Sequence, residues 1–273
     1  MTDAIEWQGR VGDSWASNWR RTDRSFDALT DRLLARTREF SFDSALDVGC
    51  GAGELSLALA RTQPQGTVLG VDISPALIEV ARERAAHLAN VTFEVADAAT
   101  WQSATRPPGF LISRHGVMFF DNPLAAFTNL RVAARPAAGL MFSCFRMWDE
   151  NPVFADIVRM LPNSPPPPES GVPGPFAFAD RQRVAAILEA AGWHGIAFEP
   201  FDFAMFVGAG DDPVEDTVAY FSVIGPAARA AGQLTAEEKS RFDDQVRELA
   251  QANLDSGLVS LRAAAWIVTA RND

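Results

Sequence analysis

Three carboxylates and a run of glycines stand where a bound nucleotide would need them. In Leu46-Asp-Val-Gly-Cys-Gly-Ala-Gly-Glu-Leu55, Asp47 lies near the end of the apolar strand Ala45 to Val48, and Gly49, Gly51 and Gly53 then alternate around Cys50. Glycine lets a backbone turn tightly and approach a ligand with no Cβ in the way. A helical pattern (Leu55, Ala58, Leu59) follows at once. Thr67 to Asp72 reads as a second strand ending in an acid 19 residues after Gly53, with Ile73 next to it. A carboxylate there accepts both hydroxyls of a ribose. A third strand, Val91 to Val95, runs into Ala96-Asp97-Ala98. Taken singly, an aspartate in such a loop is ordinarily a helix cap. All three in register with the glycines point to a ligand at the carboxyl ends of the strands.

A second cluster follows a fourth strand, Phe110 to Ser113: Arg114-His-Gly-Val-Met-Phe-Phe120, then Asp121-Asn-Pro123. His115 is the catalytic candidate, as a general base; the alternative is an imidazole filling an aromatic slot. Arg114 suits a carboxylate, either of a cofactor or of an acidic substrate, or else forms a surface ion pair, with Asp121 as a partner. Met118 and Phe119 are expected at the substrate. So are Trp15 and Trp19 near the N-terminus and Tyr220, the only tyrosine, although each large aromatic also suits core packing.

The dinucleotide fingerprint spaces its glycines G-x-G-x-x-G; here the third glycine comes one residue early and Glu54 stands in its place. This argues against a nicotinamide or flavin site. The segment resembles motif I of the class I S-adenosylmethionine (SAM) methyltransferases. Ser113 to Phe120, with Asn151-Pro152 and Pro173-Gly-Pro-Phe176, is similar to a bacterial subgroup related to the ubiquinone/menaquinone C-methyltransferases. The resemblance implies SAM as cofactor and S-adenosylhomocysteine (SAH) as product. It places Asp47, Gly49, Cys50, Gly51 and Gly53 around the methionine part, Asp72 on the ribose, Ile73 against the adenine, and Asp97 with Ala98 at the adenine edge. His115 departs from the subgroup, which usually has phenylalanine there.

The elements needed to hold these residues are legible as α/β. Strand and helix alternate five times over residues 43–145, which implies a mainly parallel, doubly wound Rossmann-like sheet. The resemblance supplies seven strands, with the last antiparallel between the fifth and sixth. Residues 1–42 read as a helical lid, 43–147 as the SAM-binding core, and 148–273 as the rest of the sheet with substrate-cap insertions, all in a single domain. Within the last part, 162–168 is proline-rich and exposed, Asp180 caps a helix closed by Gly192, 198–207 and 261–269 are strands, and 213–255 is mostly helical.

Composition bounds the partners. The 273 residues carry a formal charge of -11, which disfavours nucleic acid because its binders present basic stripes. Arg20, Arg21 and Arg24 alternate with Asp23 and Asp27 and read as a mixed helical face. No apolar run is long enough to cross a bilayer, and Met1 to Trp7 lacks the pattern of a secretory signal. Cys50 and Cys144 form no disulfide framework, no CxxC suggests zinc, and no oxygen-ligand set suggests magnesium. The expectation is a cytoplasmic methyltransferase that binds SAM and no metal, acting on a small apolar or aromatic metabolite at an O, C or N atom. The alternatives are a SAM-binding regulator or scaffold without turnover, and an NAD-dependent oxidoreductase. The oligomeric state is left open.

Overall fold

In the computed structural model, which describes residues 4–103, 106–169 and 171–273, four short helices precede the first strand. They are α1 (Ala4–Gln8), α2 (Arg10–Ser17), α3 (Trp19–Ser25) and α4 (Asp27–Thr37). Residues 1–3 of the expected lid lie outside the described residues. The alternation then runs β1 (Ser44–Val48), α5 (Glu54–Thr62), β2 (Thr67–Asp72), α6 (Pro75–Ala85), β3 (Val91–Val95), β4 (Phe110–Arg114), α7 (Pro123–Ala133) and β5 (Gly139–Phe145). Two of these helices carry side-chain caps that follow from local sequence. The Ser74 and Asn122 side chains accept from Leu77 N and Ala125 N, each with proline in the first turn.

The remainder comprises α8 (Pro152–Arg159), α9 (Arg181–Ala190), β6 (His194–Gly208), α10 (Pro213–Val223), α11 (Ala228–Ala231), α12 (Ala236–Ala252), β7 (Leu254–Asp255) and β8 (Leu258–Arg271). The sheet order is β3-β2-β1-β4-β5-β8-β6. Pairing is parallel out to β5, whereas β8 runs antiparallel between β5 and β6. β1 and β5 are buried along their whole length, so they carry continuous apolar runs, as parallel strands covered on both faces must.

One short strand lies beyond those expected. Residues 254–255 are strand, paired to β8 as Leu254↔Val259 and Asp255↔Leu258, which adds an eighth strand to the seven. Ser256 and Gly257, at φ 50° and 82°, make the two-residue turn that a tight hairpin favours.

Candidate active site

β1 delivers the glycine loop, and β4 delivers the segment that faces it. The sheet order reverses between these two strands, which is where an open α/β sheet leaves a crevice. Gly49, Gly51 and Gly53 all take positive φ, at 66°, 55° and 84°, so the alternation has a conformational reason. Their surroundings separate their roles. A Cβ on Gly49 would stand 2.8 Å from Gly116 Cα, so the two loops pack backbone to backbone. A Cβ on Gly53 would stand 2.9 Å from the Phe93 ring. Gly53 therefore seats α5 on the sheet and, contrary to expectation, does not line the cavity. A Cβ on Gly51 would meet nothing within 4 Å; it projects into open space.

That space is a cavity of about 460 Å³ at the carboxyl ends of the strands. Its nucleotide-like half is lined by Asp47, Gly49, Cys50, Gly51, Asp72, Ile73, Asp97 and Ala98. Asp72 Oδ2 accepts from Gly51 N at 2.9 Å and Oδ1 from Ser74 N at 2.9 Å; both oxygens keep a further lone pair for a ligand. Asp47 is 1 % exposed, accepts from Ser56 Oγ at 2.5 Å through Oδ2, and leaves Oδ1 buried without a partner. Burial pushes the Asp47 carboxyl up to about 6 and also raises Asp72. Asp97, exposed at the edge, accepts from Ala99 N at 2.8 Å. Both cysteines are free and buried, with thiols raised by burial.

The other half is built from β4, β5 and the N-terminal helices. Trp7, Trp15, Phe26, His115, Met118 and Phe119 line it, with Phe145, Phe154 and Tyr220. Trp7 meets Trp15 and Phe119 edge-on at 5.4 and 5.2 Å. Tyr220 has no exposure, and its hydroxyl pairs with Ser25 Oγ at 3.2 Å; burial raises it to about 12, so it stays a neutral phenol. It forms both core and cavity wall.

Two expectations need correction. Arg114 does not reach for Asp121: it pairs with Glu54, donates to Thr30 Oγ1 at 2.7 Å, and has Asp23 Oδ1 at 4.0 Å. Its guanidinium thus ties β4 to α5 and to the N-terminal helices. Burial raises the Glu54 carboxyl in spite of this ion pair, since Asp23 opposes it. Trp19, expected at the substrate, is absent from the cavity wall. Its ring is covered by the guanidinium of Arg84 at 3.8 Å and of Arg20 at 4.3 Å, because it sits on the α3 face turned to α6.

His115 takes φ 63°, a conformation that side chains rarely adopt and that gathers at functional sites. Its ring is stacked on Phe145 at 4.1 Å and meets Phe26 edge-on at 5.2 Å. Nδ1 lies 3.4 Å from Ser143 Oγ, and Nε2 is buried without a partner. Burial first, and then Arg114, lower its pKa to about 3. The ring is therefore neutral at physiological pH and a weak proton acceptor. A lowered pKa weakens a general base, and the ring keeps a polar edge on an apolar wall.

Sequence reasoning missed the Asp23–Arg84 pair, 2.6 Å long, and Arg84 Nη1 donating to Ala52 O at 2.7 Å. Sixty-one residues separate the partners, and no local pattern records such a contact. Arg21 and Arg24 pair with Asp216, as a mixed helical face should. Among the described residues, no group of three or more His, Cys, Asp or Glu is placed to hold a metal, and no helix is long and apolar enough to cross a membrane.

The sheet order, the glycine turn and the acids at the ends of β1 and β2 and after β3 are similar to those of the class I SAM-dependent methyltransferases. Residues 40–161 match the family described as a methyltransferase domain, and the chain carries that domain. Trans-aconitate 2-methyltransferase of Methylobacterium radiotolerans is 43 % identical over 75 residues, 28 % of each chain. The chain spans between about a quarter and a half of the length of the first curated relatives that it matches. In fold it is similar to a chain of the complex between the Haloferax volcanii Trm112 methyltransferase activator and a methyltransferase, with TM-score 0.58, 16 % identity, and coverage of 96 % of this chain and 97 % of that one. It is also similar to Haemonchus contortus phosphoethanolamine N-methyltransferase 2 in complex with phosphomonomethylethanolamine and SAH, with TM-score 0.53, 15 % identity, and coverage of 88 % and 52 %.

Proposed function

We propose that this protein transfers a methyl group from SAM to a small apolar or aromatic acceptor. The observation that carries the reading is the cradle at Gly51, where the backbone opens onto the cavity between the carboxylates of Asp47 and Asp72. The residues fit the cofactor. Asp72 retains lone pairs for a ribose, Ile73 and Ala98 offer an apolar slot, and Asp47 Oδ1 is a buried acceptor awaiting a donor or a positive charge. When bound, SAM supplies a methyl carbon on a sulfonium, already activated for in-line attack. What the chain contributes is alignment and exclusion of water. Residues 4–37 act as a lid, since Trp7, Trp15, Asp23 and Phe26 roof the cavity.

Trans-aconitate, the acceptor named for the Methylobacterium radiotolerans relative, is a tricarboxylate, and this cavity does not suit it. Arg114 is the only arginine or lysine along the cavity among the described residues, and it is paired with Glu54. The acceptor atom is an O, C or N, and the reading includes a cytoplasmic protein without nucleic-acid or membrane partners.

Calorimetric titration with SAM, SAH, NAD⁺ and NADH tests the cofactor. Micromolar binding of SAM or SAH with no nicotinamide signal is expected; the reverse pattern would revive an oxidoreductase. Bound SAM with no turnover across phenols, quinones and amines would favour a regulator instead.

A further inference from the structure

We propose that His115 selects the acceptor: its free ring nitrogen reads an uncharged oxygen on a flat apolar molecule, and the cavity refuses the same molecule when it carries a carboxylate. This rests on the reading that the cavity is a methyl-acceptor site.

The first observation is an unpaired polar atom. His115 is 7 % exposed and lines the cavity, and its Nε2 is buried with no partner. A buried polar group left unpaired costs free energy, and such groups ordinarily have partners. Trp7 Nε1, on the same half of the cavity, is also buried and unpaired. The two are the polar groups of the acceptor half that await a ligand among the described residues.

The second observation is what surrounds the ring. Phe145 is stacked on one face and Phe26 packs edge-on, so a flat apolar body can lie alongside. Ser143 Oγ, at 3.4 Å, holds Nδ1. If Ser143 donates to Nδ1, Nε2 carries the proton and donates; if Nδ1 donates to Ser143, Nε2 accepts. A hydroxyl suits either tautomer, because it both donates and accepts.

The third observation is the balance of charge. Asp23, Asp47, Glu54, Asp72, Asp97 and Asp121 line the cavity against a single guanidinium, that of Arg114, which is taken by Glu54. The other titratable side chains along the cavity, Cys50 and Tyr220, are held neutral by burial. An entering carboxylate would meet no free cation and a surplus of like charge, which is how a site discriminates against an unwanted partner. The neutral imidazole, unlike an imidazolium, gives such an anion no compensation.

The test uses protein with histidine labelled with the heavy nitrogen isotope, titrated with 2-naphthol and with 2-naphthoate, with and without SAH. These probes share one ring system and differ in charge. His87 and His194, both exposed, serve as internal references. The expected result is that 2-naphthol shifts the His115 ring signals and leaves the other two still, while 2-naphthoate binds at least about tenfold more weakly. His115→Phe should weaken 2-naphthol about tenfold with SAH affinity unchanged, the order expected for one hydrogen bond. His115→Gln, which keeps a polar end, should recover most of the loss. Equal affinity for the two probes, no 2-naphthol signal at His115, or full 2-naphthol affinity in His115→Phe would each overturn the proposal. SAH binding without probe discrimination sinks the His115 proposal alone. Probe discrimination without SAH binding sinks the cofactor reading alone.

Discussion

The glycine loop divides its work among single residues, and Gly51 isolates the cofactor contact. Its missing Cβ points into the open cavity, whereas those of Gly49 and Gly53 point into packed neighbours. Gly51→Val therefore fills ligand space without a clash inside the fold. The strain of a β-branched residue at φ 55° should cost about 1–2 kcal/mol of stability, and calorimetry should show SAM affinity falling by tenfold or more. Gly53→Val should do the opposite, losing stability first, because Phe93 and Ala81 stand in the way. Equal SAM affinity in folded Gly51→Val would remove the cradle from the site. Asp72→Ala is a blunter probe: Asp72 also pins Gly51 N and Ser74 N, so it loosens the loop as well as releasing the ribose. A loss of about 1.5–3 kcal/mol in SAM affinity is expected, as for other charge-assisted pairs.

The N-terminal helices depend on a few long-range polar ties at the level of elements. Gly12 on α2 lets that helix approach α6 so closely that a Cβ would lie 2.3 Å from Ser74 Oγ. Arg84 on α6 then fastens α3 through Asp23, reaches Ala52 O on the glycine loop, and covers Trp19. One side chain thus joins lid, loop and sheet. Arg84→Met keeps the apolar stem and removes the fork, leaving Asp23, 16 % exposed, with Arg114 Nη2 at 4.0 Å. A loss of about 2–3 kcal/mol is expected, because breaking one partner of a buried pair strands the other. Hydrogen exchange should quicken across residues 10–25 while β1 and β4 stay protected. Unchanged exchange in a folded variant would mean that apolar packing alone holds the lid.

The carboxylate surplus makes the whole molecule sensitive to pH. Asp47, Glu54 and Asp72 are all raised in the fold, chiefly by burial. A raised acid stabilises the fold below its unfolded pKa, and that stabilisation is lost as pH climbs through the folded value. For Asp47, lifted from 3.8 to about 6, the loss falls between about pH 4 and pH 6 and amounts to about 3 kcal/mol. Denaturant unfolding of the ligand-free protein should show stability declining across that window. Asp47→Asn should flatten the decline, leaving the contributions of Glu54 and Asp72. A variant with an unchanged pH profile would show that Asp47 ionises freely in the fold. Bound SAM, which brings positive charge to this half of the cavity, should restore stability on the alkaline side.

Much of this was settled by the chain itself. The alternating glycines, the acids after three strands and the Ser74 and Asn122 caps are local patterns, and backbone stereochemistry allows them few meanings. They determined the sheet's nucleotide-binding half and most of its lining. Tertiary structure decided whatever joins distant segments. It turned Trp19 toward Arg84, paired Arg114 with Glu54, and buried His115 deeply enough to keep it neutral. None of these is a property of spacing, since charge state and contact depend on which side chains the folded sheet brings within a few ångströms. The same residues read as a base, a carboxylate clamp and a substrate wall while they were only letters at a spacing. Desolvation and long-range pairing set the charge and the partners of each.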